Sequence, residues 1–79
     1  MTAHGWRTAG SYDARGWPDL VLVRERVVFA EIKLDRGRLR PEQVVWLKDL
    51  RQAGQEVYVW RGLDWTSGAV EEVLRSQAT

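Results

Sequence analysis

The chain has 79 residues, enough for one small domain with a thin core, because chains of this size bury only about 60% of the surface that they expose when unfolded. Lys and Arg number 12 and Asp and Glu number 11, and the formal net charge of +1 does not by itself indicate a nucleic-acid partner. The absence of cysteine excludes a disulfide framework and thiolate metal ligands, and no apolar run has the length of a membrane span. These features predict a single domain, residues 1–79, of a cytoplasmic protein.

The elements predicted in the first half of the chain are strands. The polar, glycine-containing N-terminal region predicts at most a short strand over residues 5–9. Residues 20–23 form a continuous apolar run typical of a strand covered on both faces, and residues 27–33 form a second strand that alternates at its end. The charged tripeptide Arg24-Glu25-Arg26 between them predicts a three-residue hairpin loop.

A helix and a further strand are predicted after a polar loop over residues 34–40. Pro41 begins the helix and Gly54 ends it. One face of this helix, spaced i, i+3, i+4 and i+7, is predicted to cover the sheet: Gln43, Trp46, Leu47 and Leu50. A strand over residues 55–60 follows, and we expect it to pair in parallel with the second strand through a right-handed crossover.

The C-terminal region is predicted to contain a turn over residues 62–65 and then a short helix from about residue 67 to residue 75. The predicted fold class is therefore α/β, with an antiparallel hairpin followed by a βαβ crossover in a mixed sheet and a short C-terminal helix.

Two acids are predicted to face each other across the hairpin. A three-residue loop pairs Val23 with Val27, and this register places Asp19 opposite Glu31. Directly opposed residues have Cβ atoms about 4.5 to 5.5 Å apart, where like charges are destabilising. Lys33 shares the face of Glu31 and supplies one positive charge, and a divalent cation would supply more. Two carboxylates with a carbonyl and water molecules form a hard oxygen site of the kind Mg²⁺ uses with substrate phosphates.

A structural explanation of the same residues stays open. Glu-x-Lys at a strand end is commonly a solvated rim with a weak ion pair, and Pro-Asp commonly marks a turn before a strand. Each motif alone is more often structural than catalytic, whereas their combination on one face favours a metal-dependent site that cleaves phosphodiesters.

An ordered set of short motifs extends along the chain: Gly16-x-Pro18-Asp19-Leu20, Glu31-x-Lys33, Gly37-x-Leu39-x-Pro41-x-Gln43, Trp46-Leu47 and Gly54-x-x-Val57. This set resembles the virus-type replication-repair nuclease (VRR-NUC) domain of the PD-(D/E)xK nuclease superfamily. The resemblance extends over roughly residues 16–65 and implies a small restriction-endonuclease-like core.

The resemblance implies a Mg²⁺- or Mn²⁺-dependent nuclease that hydrolyses DNA phosphodiester bonds, with branched or junction DNA as a candidate substrate, in a bacterium or a phage-infected host cell. It implies that Asp19 and Glu31 bind the metal with the backbone carbonyl of Ile32. Lys33 would orient the attacking water or stabilise charge on the phosphate, and Gln43 would support the site. Because the crossover returns the first helical turn to the end of the second strand, the residue pattern also places Gln43 there, although a solvated first-turn residue is the alternative.

The sequence departs from the family at its start. Family members usually begin with a helix that carries a further acidic residue, whereas here no acid precedes Asp13, so we expect the first family helix to be missing. A rival hypothesis is therefore a catalytically weakened DNA-binding or assembly module on the same fold. A third is a purely structural βαβ partner domain.

A basic loop follows the second strand and is a candidate for DNA binding. Arg36, Arg38 and Arg40 lie there with a single acid, Asp35, and arginines of this kind bind phosphates well. An ordinary solvated loop is the alternative.

The aromatic residues and the single histidine predict less. Trp17 can stack on a flared base, but we favour packing, and we expect Trp60 and Trp65 in the core or at a dimer surface. His4 is expected to be incidental. A thin core with five tryptophans, together with the symmetric pairs of junction-cutting relatives, predicts a homodimer.

Overall fold

The computed structural model describes residues 4–8 and 14–76. The described elements, in chain order, are β1 (Arg7–Thr8), β2 (Leu20–Val23), β3 (Val27–Ile32), α1 (Pro41–Gln52), β4 (Glu56–Trp60), α2 (Gly62–Thr66) and α3 (Ala69–Arg75). The strands form one sheet in the order β1-β2-β3-β4, antiparallel except for the parallel pair β3–β4. This confirms the predicted α/β fold with a mixed sheet. Ala9, at the end of the first predicted strand, lies outside the described residues.

The hairpin of β2 and β3 has the predicted register. Val23 pairs with Val27 and Leu20 with Ala30, and the N–H of Arg24 donates to the carbonyl of Arg26 at 2.9 Å. The loop is therefore three residues long, and the residues that flank the paired segments, Asp19 and Glu31, reach the same end of the hairpin.

The crossover through α1 brings the start of the helix back to the end of β3. The inner face of α1 is the predicted one, with Gln43 and Leu47 buried and Trp46 and Leu50 half-buried. Gly54, two residues after the end of α1, has a left-handed backbone conformation with φ +85, which stops the helix from continuing. Beyond the paired residues of β3 and β4, the N–H of Lys33 donates to the carbonyl of Trp60 at 3.0 Å, which continues the parallel ladder past Glu31.

The hydrophobic core lies between the sheet and α3. Its buried members are Trp6, Leu22, Val28, Ala30, Trp60, Val70 and Leu74. Two of the five tryptophans, Trp6 and Trp60, are thus core residues, and their large apolar side chains are buried inside this small domain. Within the described ranges, no helix is both long enough and apolar enough to cross a membrane.

The region after β4 differs from the prediction, because residues 62–65 form part of a short helix rather than a turn. The N–H of Arg61 donates to the carboxylate of Asp64 at 2.7 Å, a cap that begins α2. Gly68, with φ +86, separates α2 from α3, so the C-terminal helix begins at Ala69.

The charged hairpin loop binds the end of α3. Arg24 donates to the carbonyl of Leu74 at 2.8 Å, and Arg26 donates to the carbonyl of Val73 at 3.1 Å. Both guanidinium groups lie over the ring of Trp6, 4.5 and 4.9 Å from its centroid. These arginines therefore bind carbonyls of the last turn of α3, where the carbonyl of Val73 also accepts a hydrogen bond from the N–H of Ser76 and that of Leu74 accepts one from the indole of Trp6.

Candidate active site

Asp19 lies directly before β2 and contacts the end of β3. Its side chain is exposed, and its Oδ2 accepts a hydrogen bond from the backbone N–H of Ile32 at 2.9 Å. This contact places the Asp19 carboxylate beside the Glu31–Lys33 segment, where the hairpin register predicted it.

Glu31 is a buried acid, with only 1% of its surface exposed. Its Oε2 accepts a hydrogen bond from the side-chain amide of Gln43 at 2.9 Å. Its Oε1 is also buried but has no hydrogen-bond partner among the described residues. A buried carboxylate oxygen without a partner is costly, so this atom calls for a cation or a proton.

Gln43 connects Glu31 to the start of α1. It is 4% exposed, and its Oε1 accepts a hydrogen bond from the backbone N–H of Arg40 at 2.8 Å while its Nε2 donates to Glu31. The two ends of the amide are thereby used, one by the helix cap and one by the acid. The prediction that the first turn of α1 lies at the end of β3 is confirmed, and the solvated alternative for Gln43 is wrong.

The environment of Glu31 favours its protonated form. Burial raises the pKa of Glu31 to about 7, and the neighbouring Asp19 carboxylate acts in the same direction. The positive charges of Lys33 and Arg40 oppose this shift. Near neutral pH both the protonated and the charged form of Glu31 are therefore accessible.

The donor set fits a hard divalent cation. The carboxylates of Asp19 and Glu31 meet at one end of the hairpin, and the unpartnered oxygen of Glu31 is the observation that calls for positive charge. Mg²⁺ commonly uses one or two protein carboxylates and completes its shell with water and phosphate oxygens. Within residues 4–8 and 14–76 there is no group of three or more His, Cys, Asp or Glu side chains that could hold a metal. Asp13 lies outside those ranges.

Gly16 allows the segment before Asp19 to pack against α1. It has φ +84, and a Cβ atom at this position would lie 2.6 Å from the backbone carbonyl carbon of Glu42. Trp46 on α1 also donates to the carbonyl of Arg15 at 3.0 Å. This close approach joins the Asp19 segment to the same helical turn that carries Gln43.

Trp17 packs in the same region. Its ring meets those of Phe29 and Trp46 edge-on, with centroids 5.8 and 4.9 Å away. The ring is half-buried, in agreement with the packing role that we favoured over base stacking.

The basic loop lies beside these carboxylates. Arg36, Arg38 and Arg40 are exposed and Lys33 is half-buried, whereas the carboxylate of Asp35 accepts a hydrogen bond from the N–H of Leu63 at 3.1 Å. The one acid of the loop is thus used in a contact with α2, which leaves the positive charges at the surface.

The remaining candidates lie elsewhere in the domain. His4 pairs with Glu71 on α3. Trp60 is buried, and Trp65 is 50% exposed and contacts the edge of Trp60 with ring centroids 5.8 Å apart. These residues take no part in the carboxylate pair.

One of the comparisons with known proteins found a match. The family model described as the VRR-NUC domain matches residues 11–64, which is more than half of the chain and includes both carboxylates, Lys33 and Gln43. No curated protein and no solved structure matches the chain. On the strength of the family match, the chain belongs to the VRR-NUC domain family, a family of nucleases.

Proposed function

We propose that this domain is a Mg²⁺- or Mn²⁺-dependent endonuclease that hydrolyses DNA phosphodiester bonds, with branched or junction DNA as its substrate. The single observation that carries the proposal is Glu31, a carboxylate held in the interior by Gln43 with one oxygen left without a partner. An acid that serves only structure is expected to be either solvated or fully hydrogen-bonded.

The proposed metal ligands are Asp19, Glu31 and the backbone carbonyl of Ile32. A divalent cation held there would supply Lewis-acid stabilisation of the charge that develops on the phosphate. Gln43 positions the Glu31 carboxylate through its 2.9 Å hydrogen bond. Lys33 orients the attacking water or stabilises negative charge on the phosphate, because it follows Glu31 by two residues and its charge acts on that carboxylate.

The proposed DNA-binding residues are Arg36, Arg38 and Arg40. They are exposed on the loop that joins β3 to α1, directly after Lys33. Arginines placed beside a cleavage site can fix the position of a DNA strand through its phosphates without reading its sequence.

A second candidate function is a catalytically weakened DNA-binding or assembly module. It is favoured by the small number of acids, since the described ranges hold no cluster of three candidate metal ligands. Such a module binds DNA equally with and without a metal and does not cleave it.

We also propose that the protein acts as a homodimer. Several large apolar side chains are exposed, with Leu34 at 83%, Leu63 at 71% and Trp65 at 50%, and their burial in a second copy would stabilise so small a domain.

The experiment that tests the nuclease proposal is incubation of the purified protein with labelled junction, flap, single-stranded and duplex DNA, with and without Mn²⁺. We expect metal-dependent cleavage that Asp19→Asn abolishes. Without metal, the variant should be as stable as the wild type or more so, because the substitution relieves repulsion with Glu31. The control is Asp49→Asn, an exposed acid on α1. Equal cleavage by both variants would remove Asp19 from the site, and binding without cleavage would favour the second candidate.

A further inference from the structure

Arg61 lies at the end of β4 and reaches back into the basic loop. Its Nη1 donates to the carbonyl of Leu34 at 2.9 Å and to the carbonyl of Gly37 at 2.6 Å. The N–H of Gly37 donates to the carbonyl of Leu34 at 2.9 Å, so residues 34–37 form a turn. The guanidinium of Arg61 binds the carbonyls of the first and last residues of this turn. Arg36 lies within this turn.

Asp35 fastens the same turn to α2. Its Oδ1 accepts a hydrogen bond from the N–H of Leu63 at 3.1 Å. The approach is close, because a Cβ atom at Gly62 would lie 3.0 Å from that same Oδ1. The only acid of the basic loop is therefore used to attach the loop, and Gly62 leaves room for the attachment.

A further hydrogen bond joins the same region to Lys33 of the candidate active site. The N–H of Lys33 donates to the carbonyl of Trp60, the residue before Arg61, at 3.0 Å. Three kinds of hydrogen bond thus join residues 33–37 to the connection between β4 and α2. They are the backbone bond of Lys33, the bonds from the Arg61 guanidinium, and the bond to the Asp35 carboxylate. Without these bonds a polar loop of this length would sample many conformations, and ordering it at the moment of DNA binding would weaken the affinity.

We propose that Arg61 and Asp35 are positioning residues for DNA binding, which hold the loop so that Arg36, Arg38 and Arg40 meet successive phosphates. Arg61 acts through the loop and does not touch the DNA or the reacting atoms. This inference rests on the proposed function, since it names the residues that prepare the DNA-binding loop of the same site.

The test is a double-mutant cycle. Arg61→Ala is made in the wild type and in a variant with Arg36, Arg38 and Arg40 all changed to Gln, and the dissociation constant is measured for labelled duplex and junction DNA with Ca²⁺ in place of Mg²⁺. In the wild type we expect binding to weaken about tenfold, the loss typical of one charge-assisted hydrogen-bonding group. In the triple variant we expect less than about a twofold further loss, because residues that act through one another are not additive.

The cleavage readout separates positioning from a loss of fold. At saturating DNA in Mg²⁺, Arg61→Ala should cleave at close to the wild-type rate while its KM rises. Arg61→Lys, which keeps a positive donor near the turn carbonyls, should recover part of the binding. The control for the removal of a positive charge is Arg51→Ala, an exposed residue in the last turn of α1, which we expect to leave binding within about twofold of the wild type.

A measurement without DNA tests the same inference. Amide hydrogen exchange over residues 34–40 should accelerate in Arg61→Ala, and the Gly37 amide should change most, whereas Arg51→Ala should leave this segment unchanged. If Arg61→Ala is too unstable for binding measurements, Arg61→Gln takes its place with the same expectation.

Three results would overturn the inference: unchanged exchange in the loop, unchanged binding by Arg61→Ala, or an equal loss of binding in both backgrounds, which would mean that Arg61 contacts DNA directly. Failure of the proposed function is distinguishable from these, because it appears in the wild type itself as an absence of metal-dependent cleavage.

Discussion

The amide of Gln43 joins the cap of α1 to the buried carboxylate of Glu31, with hydrogen bonds of 2.8 Å to the Arg40 N–H and 2.9 Å to Glu31. The helix start and the acid are therefore set by one side chain. A displacement of either one must break a hydrogen bond of Gln43, so the crossover determines the position of the Glu31 carboxylate.

The first prediction follows from this bridge. Gln43→Ala removes the only described hydrogen-bond donor to the Glu31 side chain, so we expect the free energy of unfolding at pH 8 to fall by about 1–3 kcal/mol. Cleavage should fall as well, because the carboxylate is no longer oriented. Urea unfolding measures the first effect, with Gln52→Ala, an exposed glutamine at the end of α1, as the control. Equal stability of the two variants would show that the hydrogen bonds of the Gln43 amide do not stabilise the fold.

The second prediction concerns pH and the metal-free protein. Glu31 has a pKa of about 7 in the folded state against an ordinary value of 4.5, so it binds its proton more tightly when folded. This contribution to stability is complete below about pH 4.5 and is lost as the pH rises through about 7, and its full size is about 3 kcal/mol.

The measurement is thermal unfolding in EDTA from pH 5 to pH 8.5, compared between the wild type and Glu31→Gln. We expect the wild type to lose stability relative to the variant as the pH rises, since the variant has no proton to release at this position. Added Mg²⁺ should restore wild-type stability mainly above pH 7, where the carboxylate is free to bind it. Parallel curves for the two proteins would show that Glu31 does not titrate in this range.

The third prediction separates binding from chemistry. Changing Arg36, Arg38 and Arg40 to Gln should weaken DNA binding and flatten its salt dependence by about 0.9 in log–log slope for each duplex phosphate that the loop no longer binds. Lys33→Gln should instead lower turnover with little change in the slope, because Lys33 stands beside Glu31. A salt titration in Ca²⁺ and single-turnover cleavage in Mg²⁺ measure the two effects. An unchanged slope in the triple variant would mean that DNA enters from another side.

The fourth prediction uses two glycines with nearly the same backbone conformation. Gly16 and Gly54 have φ +84 and +85, but an added Cβ would meet the Glu42 backbone at 2.6 Å only at Gly16. Gly54→Ala should cost about 1–2 kcal/mol for its conformation alone. Gly16→Ala should cost more than about 3 kcal/mol, because α1 must also move. Chemical unfolding of both variants checks the difference, and similar losses would show that the Asp19 segment can separate from α1 freely.

The fifth prediction concerns assembly. Because Leu34, Leu63 and Trp65 are exposed, we expect light scattering at micromolar concentration to give twice the mass of one chain. A monomeric mass would contradict the homodimer and would leave the nuclease proposal to be judged on cleavage alone.

Local patterns in the sequence were sufficient to predict the hairpin, the crossover and the place of Gln43. The length of the charged loop determines the strand register, and the period of the helix selects its inner face. Both rules act over a few residues, so they can be read directly from the sequence.

Contacts between distant segments were not predictable in this way. The sequence pattern predicts only that Arg24 and Arg26 lie in the hairpin loop, yet they bind carbonyls at the end of α3. It gives no indication that Arg61 binds the carbonyls of the basic loop. The partners in these contacts are backbone carbonyls, which every residue has, so no local pattern identifies them. Residues 62–65, where the sequence predicts a turn, belong to α2 because Asp64 accepts a hydrogen bond from the N–H of Arg61 and so caps the helix.

The attachment of α3 to the hairpin loop has a consequence for the order of folding. Arg24 and Arg26 bind carbonyls 47 to 52 residues further along the chain. During synthesis the hairpin can pair early, but its two loop arginines find these acceptors only once residue 76 has been added. Such distant contacts close slowly compared with local ones. We therefore expect the nascent domain to reach its final packing late, with the ring of Trp6 covered among the last steps.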